Sequence, residues 1–342
     1  MRGSIDVKVT IKEVARHAGV SIATVSKVIN NRDYVSEKTR EKVKRAIGEL
    51  QYEVNANAQS LKAVRSRKVA VLVSDISNTY LMSIAKAVEE MIRSIGYHMI
   101  LMSHNDAPDI EYELLQIVQQ QQVDAMVLIP TGENSSTIKR MVTLGVHVIA
   151  VDRKVNDLQT DYIADDNFYG SYESVRYLQS LRHQRIAVLY GHRRNSIGEE
   201  RYQGALAALK EGNTYDPTLF RGANFKEEEA YRLTTELLSL PEPPTAIYSA
   251  NNTMTLGVLQ AIKERGLEMP NDISVIAFGD ETQWKLFRPK LTLMVQQAQQ
   301  IGLEAAIMLK NRLTIEKPYP VQERIIKPVL QQNETCNVLR GH

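Results

Sequence analysis

The chain has 342 residues, 43% hydrophobic and 24% charged, with a net charge of +2, which suits two or three globular domains with sizeable cores and excludes a disordered or fibrous class. It has no apolar run near the ~18 residues of a membrane span, no apolar segment of a secretory signal in Met1 to Lys8, and one cysteine, Cys336, so an intrachain disulfide is excluded and a reducing, cytoplasmic setting is expected. The charge is uneven: residues 1–68 carry 15 Lys and Arg against 7 Asp and Glu, and the remainder 27 against 33, so the basic end suggests either a nucleic-acid contact or a solvated charged face.

Met1-Arg2-Gly3-Ser4 reads as an added leader and is left out of the fold argument. Residues 8–52 then read as three short helices. Ile11, Val14, Ala15 and Ala18 recur at the spacing of one buried helix face. Thr10 and Glu13 form a capping-box pair at its start, and Gly19 supplies the left-handed residue at its end. Ser21 caps the next helix after a turn of about three or four residues, the length that sets two helices at a steep angle. Val25, Val28 and Ile29 face back onto the first helix. Ser36 caps a third helix, whose Val43, Ile47 and Leu50 close the small core.

In residues 53–67 this pattern stops. Asn55 to Leu61 has length for about two helical turns, and Lys62 to Lys68 is basic and irregular. So short a helix is mostly unfolded in water, and the segment reads as a linker that orders only when something holds it. From Val69 the texture is β/α. Val69–Val73, His98–Met102, Ala125–Ile129 and His147–Val151 read as strands, followed by Ile186–Tyr190, Ala246–Ser249 and Ser274–Phe278. Amphipathic stretches such as Ile84–Ile95 and Tyr202–Lys210 separate them, the signature of parallel sheets covered on both faces. The fold class is therefore α/β: two doubly wound lobes behind a small all-α helix-turn-helix head.

The second helix of that head would lie in a major groove. Ile22, Ala23 and Lys27 are its exposed members: Lys27 suits guanine or a phosphate, and Ile22 and Ala23 suit thymine methyls. Ser21, Thr24 and Ser26 supply hydroxyls for phosphate anchoring. The alternative is a three-helix piece of an unrelated fold.

The run Val9-Thr10-Ile11-Lys12-Glu13-Val14-Ala15, then Gly19-Val20-Ser21, Thr24-Val25-Ser26, Val28-Ile29-Asn30, Val35-Ser36, Thr39-Arg40 and Val43, resembles the DNA-binding head of the LacI/GalR repressor family. The likeness continues through Asp75-Ile76-Ser77-Asn78, Val123-Asp124, Val151-Asp152-Arg153, Asp166-Asn167, Gly257, Gly266 to Pro270 and Asp272-Ile273-Ser274-Val275-Ile276. It spans about Val9 to Val329. The resemblance implies a head at 8–52, a hinge helix and linker at 53–67, and a periplasmic-binding-protein-like body. In that body one lobe is 68–166 plus 298–325 and the other 167–297 plus 326–342.

The resemblance also implies a homodimeric repressor of carbohydrate-use genes, bound to pseudo-palindromic double-stranded operator DNA and controlled by a small sugar-like effector, with no metal and no cofactor. Thr10 and Asn30 join the recognition-helix residues as DNA contacts, and so do Asn55, Ala58, Leu61 and Lys62 of the hinge, where Leu61 would wedge into the minor groove. Val54 stands where the family usually has proline. Effector contacts are expected from Tyr80, Asp152, Arg153, Arg194, Ser196, Phe225, Asn251 and Asp280, with Arg201 bracing them, at the carboxyl ends of the strands. Two departures matter: Gly279 replaces a common aspartate, and Asn251-Asn252 replaces Asn-Asp. Fewer carboxylates beside Arg153, Arg193 and Arg194 favour an anionic effector, a sugar acid or phosphorylated sugar.

An enzyme is the first rival class. No Walker phosphate loop, Gly-x-Gly-x-x-Gly, Gly-x-Ser-x-Gly or His-Glu-x-x-His occurs, and the 7 histidines lack metal-ligand spacing. A transport-associated sugar-binding protein is the second; it needs an export signal and no basic head. A regulator controlled by a protein co-effector is the third. The tail after Val329 shows no heptads, so a dimer is expected rather than a coiled-coil tetramer.

Overall fold

The computed structural model describes residues 9–29, 35–50, 65–315 and 320–339. They fall into two compact units that divide between Arg65 and Ser66.

The first unit holds α1 (Ile11–Ala18), α2 (Ile22–Ile29) and α3 (Glu37–Glu49). Short-range chemistry sets each boundary. The Glu13 carboxylate reaches back to accept the Thr10 N–H at 2.7 Å and its hydroxyl at 2.9 Å. Gly19, with φ 64°, ends α1, and the Val20 N–H then donates to the Ala15 carbonyl at 3.0 Å. Ser21 Oγ accepts the Thr24 N–H at 3.1 Å, and Ser36 Oγ accepts that of Thr39. Val14, Val25, Val28 and Val43 are buried together with Ala15 and Ala46, while Ile47 and Leu50 pack half-buried against them. His17 Nε2 lies 2.7 Å from Glu49 Oε2 and ties α1 to α3.

The second unit contains two six-stranded sheets. In chain order the first is built from β1 (Lys68–Val73), β2 (His98–Ser103), β3 (Ala125–Leu128), β4 (His147–Val151) and β5 (Asp161–Asp165), completed by β11 (Glu323–Ile326). Its spatial order is β2-β1-β3-β4-β5-β11, and every pairing is parallel. Alternate residues of β1 serve opposite faces. Val69, Val71 and Val73 join the core under α4 (Thr79–Ser94) and α11 (Ala298–Thr314). Ala70 and Leu72 join the core under α5 (Pro108–Gln120) and α6 (Ser135–Thr143). A strand covered on both faces has no polar side, which is why Val69-Ala-Val-Leu-Val73 reads as a continuous apolar run.

The second sheet holds β6 (Ile186–Tyr190), β7 (Phe220–Gly222), β8 (Ala246–Ser249), β9 (Ser274–Gly279), β10 (Thr292–Val295) and β12 (Val329–Gln331). Its order is β7-β6-β8-β9-β10-β12, parallel except for β12 against β10. Helices α7 (Asn167–Ser180) and α8 (Ser196–Glu211) pack on each other, as do α9 (Glu227–Leu237) and α10 (Asn252–Glu264).

The chain crosses between the sheets three times: after Asp165, between Val295 and Ala298, and at Lys327-Pro328. Ile326 pairs with Asp165 in the first sheet, so that strand runs one residue past the crossing expected at 326. Strands β5, β7, β10, β11 and β12 are absent from the sequence-based set. No helix among the described residues is long and apolar enough to cross a membrane, and no cluster of three His, Cys, Asp or Glu among them could hold a metal ion.

Candidate functional site

On α2 the side chains divide as the helical period requires. Val25 and Val28 are buried, Ile22 is 45% exposed, and Ala23 and Lys27 are exposed. Ser21 and Thr24 share a hydroxyl hydrogen bond of 2.8 Å, so the cap pre-orients both hydroxyls at the start of the helix. Ser26 is half-buried. Thr10 is exposed, and the hydrogen bonds from its N–H and hydroxyl hold the Glu13 carboxyl below its ordinary pKa. The expected contacts Asn30, Asn55, Ala58, Leu61 and Lys62, together with Val54, lie outside the described residues.

The second unit encloses a cavity of about 300 Å³ at the carboxyl ends of both sheets, where open α/β sheets place ligands. Asp75 and Asn78 follow β1, and Tyr80 and Leu81 lie in the first turn of α4. Asn105 and Asp106 follow β2, and Asp152 and Arg153 follow β4. Across from them stand Ile197 and Arg201 of α8, Phe225 after β7, and Asn251, Asn252 and Thr253 at the start of α10, with Gln296 on a crossing segment. Asn105, Asp106, Asp152 and Phe225 hold φ of 51°, 58°, 64° and 61°. Asn and Asp adopt left-handed backbone readily, so among these four it is at Phe225 that the conformation is strained and sustained by the surrounding fold.

Two guanidinium groups are fixed in this wall. Arg153 is buried and grips both oxygens of Asp106, with Nη2 3.0 Å from Oδ2 and Nη1 on Oδ1. Burial alone would raise the pKa of Asp106, but hydrogen bonds from His192 and Arg153 outweigh it and hold the carboxyl well below the ordinary range. Arg201 donates to Asn167 Oδ1 at 2.8 Å and to the Ala250 carbonyl at 2.7 Å, and its guanidinium lies 3.9 Å from the Phe278 ring centre. Behind this wall Glu111, fully buried, accepts the Thr131 N–H at 2.9 Å and an Asn134 amide hydrogen at 2.7 Å.

Of the expected effector contacts, the cavity brings together Tyr80, Asp152, Arg153, Phe225 and Asn251. Three are placed elsewhere. Arg194 is exposed. Ser196 Oγ accepts the Lys154 N–H at 3.1 Å, and Asp280 Oδ2 accepts the Thr79 hydroxyl at 2.9 Å, so both join one lobe to the other at the cleft. Arg193 is also outside the wall. It pairs with Glu199, Nε to Oε2 at 2.5 Å, and lies 4.0 Å over the Tyr202 ring. Of Arg153, Arg193 and Arg194, two do not line the cavity and the third is paired with Asp106, which leaves Asp75 and Asp152 against Arg201 on the wall.

Gly279 and Asn252 prove to be one feature. A Cβ at 279 would stand 1.8 Å from Asn252 Oδ1. That oxygen accepts the Trp284 indole N–H at 2.9 Å, and Asn252 Nδ2 donates to the Asp280 carbonyl at 3.2 Å. The glycine leaves the room that the asparagine fills. Asn105, Asp106, Thr253 and Gln296 were not singled out from the sequence. The first three follow or flank strand ends that were read correctly, so position alone marks them; Gln296 follows the unread strand β10.

Comparison with known proteins adds to this geometry. The family model for periplasmic binding proteins and the sugar binding domain of the LacI family matches residues 66–332, and that for bacterial regulatory proteins of the lacI family matches residues 10–55. The HTH-type transcriptional repressor PurR of Histophilus somni (strain 129Pt) is 31% identical over 307 residues, 89% of this chain and 92% of that protein. A solved transcriptional regulator CelR–cellobiose complex is similar with TM-score 0.71 and 29% identity, covering 96% of this chain and 99% of the other. The lac repressor dimer bound to operator and the anti-inducer ONPF is similar with TM-score 0.77 and 26% identity, over the same 96% and 99%.

Proposed function

Because the chain belongs to the LacI family of bacterial regulatory proteins, it is a DNA-binding transcription repressor and not an enzyme, and we propose that its effector is a small, uncharged, polyhydroxylated molecule held in the cavity between the two lobes. The observation that carries this is the Arg153–Asp106 fork. With that guanidinium already matched, Asp75 and Asp152 outnumber Arg201 on the wall, so a carboxylate or phosphate meets one attracting charge against two repelling ones, whereas hydroxyl groups both donate to the carboxylates and accept from the amides of Asn78, Asn251 and Asn252. Phe225, Leu81 and Ile197 offer apolar wall for the C–H face of a sugar ring. The similar CelR structure holds cellobiose, a neutral sugar, which supports the same reading, with carbohydrate-use genes as the regulated set.

DNA recognition follows from α2. A homodimer presents two such helices to a pseudo-palindromic operator. Ser21 and Thr24 anchor phosphates, Ile22 and Ala23 touch base methyls, and Lys27 reaches a base edge or phosphate. Effector binding changes how the lobes close and so biases operator affinity; a coupling of about 1–3 kcal/mol is enough for a switch.

The test is a thermal-melt screen against ribose, glucose, cellobiose, gluconate, glucose 6-phosphate and hypoxanthine. A ligand at ~100 times its Kd adds about 2.7 kcal/mol, a rise of roughly 5–10 °C for a body of this size. A neutral sugar is expected to give it. A rise with gluconate or glucose 6-phosphate and none with neutral sugars overturns the proposal, and a rise with hypoxanthine alone replaces sugar by purine.

A further inference from the structure

Behind the cavity wall lies a buried carboxyl, Asp165, that is not among the lining residues. Tyr80, 4% exposed, directs its single hydroxyl proton at two carboxylates, Asp152 Oδ1 at 3.3 Å and Asp165 Oδ2 at 3.1 Å. Asp152 lines the cavity. Asp165, the last residue of β5, stands where the chain first leaves for the second lobe and holds the second crossing as well. Its Oδ1 accepts the Gln297 N–H at 3.0 Å, and its Oδ2 accepts a Gln296 amide hydrogen at 3.2 Å. The third crossing is tied in next door, where the Asp166 N–H donates to the Ile326 carbonyl at 2.7 Å.

We propose that Asp165 is the positioning residue that carries the state of the effector cavity to the strands crossing between the lobes, acting through the Tyr80 proton that it shares with Asp152. The proposal rests on the reading of the cavity as the effector site, and it goes beyond ligand contact to how that contact is transmitted. A hydroxyl proton serves one acceptor fully or two poorly. In the empty cavity Asp152 competes for it. A ligand hydroxyl that donates to Asp152 satisfies that carboxylate, and the Tyr80 proton then goes wholly to Asp165. That stronger hydrogen bond favours the ionised form of Asp165, and an ionised carboxylate accepts from Gln296 and Gln297 better than a protonated one, so the crossing segment tightens.

The electrostatics agree with the geometry. Burial, with the Asp152 charge adding to it, pushes the Asp165 carboxyl up to about 6 against the lowering hydrogen bonds from Gln297, Gln296 and Tyr80. Burial and the same two carboxylates raise the Tyr80 hydroxyl well above its ordinary value, so it stays protonated. The groups facing Asp165 are Tyr80 from α4, Asp152 from the turn after β4, and the uncharged Gln296 and Gln297 of the crossing. Arg201 of α8 acts on Tyr80 from the other lobe. Removing the Asp152 charge by substitution, or occupying it with a ligand hydroxyl so that the Tyr80 proton turns to Asp165, therefore favours the charged form of Asp165 in the range around pH 6.

The experiment needs no effector, so its failure is distinct from failure of the effector reading. On the full chain, carboxyl-carbon NMR follows the Asp165 titration and amide hydrogen exchange follows protection of the Gln297 N–H, in wild type, Asp152→Asn, Tyr80→Phe and the double variant. In Asp152→Asn the Asp165 midpoint is expected to fall by at least half a pH unit, about threefold in proton affinity, with Gln297 protection at pH 6 rising about twofold. The double variant is expected to lose most of that response relative to Tyr80→Phe. An unchanged midpoint and unchanged protection in Asp152→Asn overturn the proposal, and so does a full response surviving without the Tyr80 hydroxyl, which would make the effect direct repulsion between the carboxylates. Should Asp152→Asn fail to fold, the wild type decides alone: Gln297 protection that is flat between pH 5 and 7 overturns it.

Discussion

Thr79 and Asp280 are joined across the cleft by a 2.9 Å hydrogen bond, from the first residue of α4 in one lobe to the residue after β9 in the other. The other oxygen of the Asp280 carboxylate accepts the Thr282 hydroxyl at 3.1 Å, and the residue is 6% exposed. Thr79→Val keeps the shape and removes the donor, leaving a buried carboxylate oxygen short of a partner. A loss of about 1–2 kcal/mol is expected. It should appear in small-angle scattering as a more open body, and in effector titrations as an affinity about five- to thirtyfold weaker, while operator binding by the effector-free protein is retained. Unchanged scattering and affinity would show that the bond does not hold the cleft.

Filling the space at Gly279 has a sharply defined cost. Gly279→Ala places a methyl group inside the van der Waals radius of the Asn252 side-chain oxygen. Overpacking of this kind costs about 1–3 kcal/mol in urea unfolding. Asn252→Ala in the same chain is expected to relieve most of it, giving a favourable coupling in a double-mutant cycle. Additive losses would mean that the two positions are not matched.

The Arg153–Asp106 fork carries an acid dependence. Asp106 is held below its ordinary range in the folded chain, so its contribution to stability is complete above the unfolded carboxyl value near ~4 and fades as pH falls through the lowered folded value. Arg153→Met breaks a buried pair and is expected to cost about 3–5 kcal/mol at pH 7. The variant should also lose much of the stability change seen in wild-type urea melts below pH 4. An equal acid slope in both proteins would place the acid-sensitive group elsewhere.

Lys27 separates two modes of DNA contact. If its ammonium neutralises a phosphate, Lys27→Ala weakens binding uniformly across operator variants and reduces the salt slope by about 1; if it reads guanine, discrimination at one base pair falls by about 1–3 kcal/mol. Its exposure on α2 favours a direct contact of one kind. Binding isotherms at several salt concentrations that match wild type would remove Lys27 from the interface.

The head was legible because its signals are local. Thr10 with Glu13, Gly19, Ser21 and Ser36 each act within four residues, and each performs in the structure the role its type suggests. The central strands were legible for a related reason: burial on both faces removes polar residues, so β1, β3 and β8 announce themselves. Strand β5 did not, since Asp161 and Asp165 bracket it and bind Arg312 and the crossing segment; β11 and β12, at sheet edges, are only 4 and 3 residues long and too short to show a pattern. The cavity was half legible. Residues at strand ends could be named, but Ser196, Asp280 and the arginines 193 and 194 depend on where neighbouring side chains point. The pairing of Arg153 with Asp106, 47 positions apart, leaves no trace in spacing.

Trp284 is the chain's single tryptophan, almost wholly buried, with its indole N–H committed to an amide on the cavity wall. Nature has thus placed one fluorophore one hydrogen bond away from whatever occupies that space. A molecule that draws Asn252 toward itself lengthens or breaks that bond and alters the polarity sensed by the excited indole. Occupancy can therefore be followed by intrinsic emission in unlabelled protein, in the presence of operator, and at concentrations too low for calorimetry.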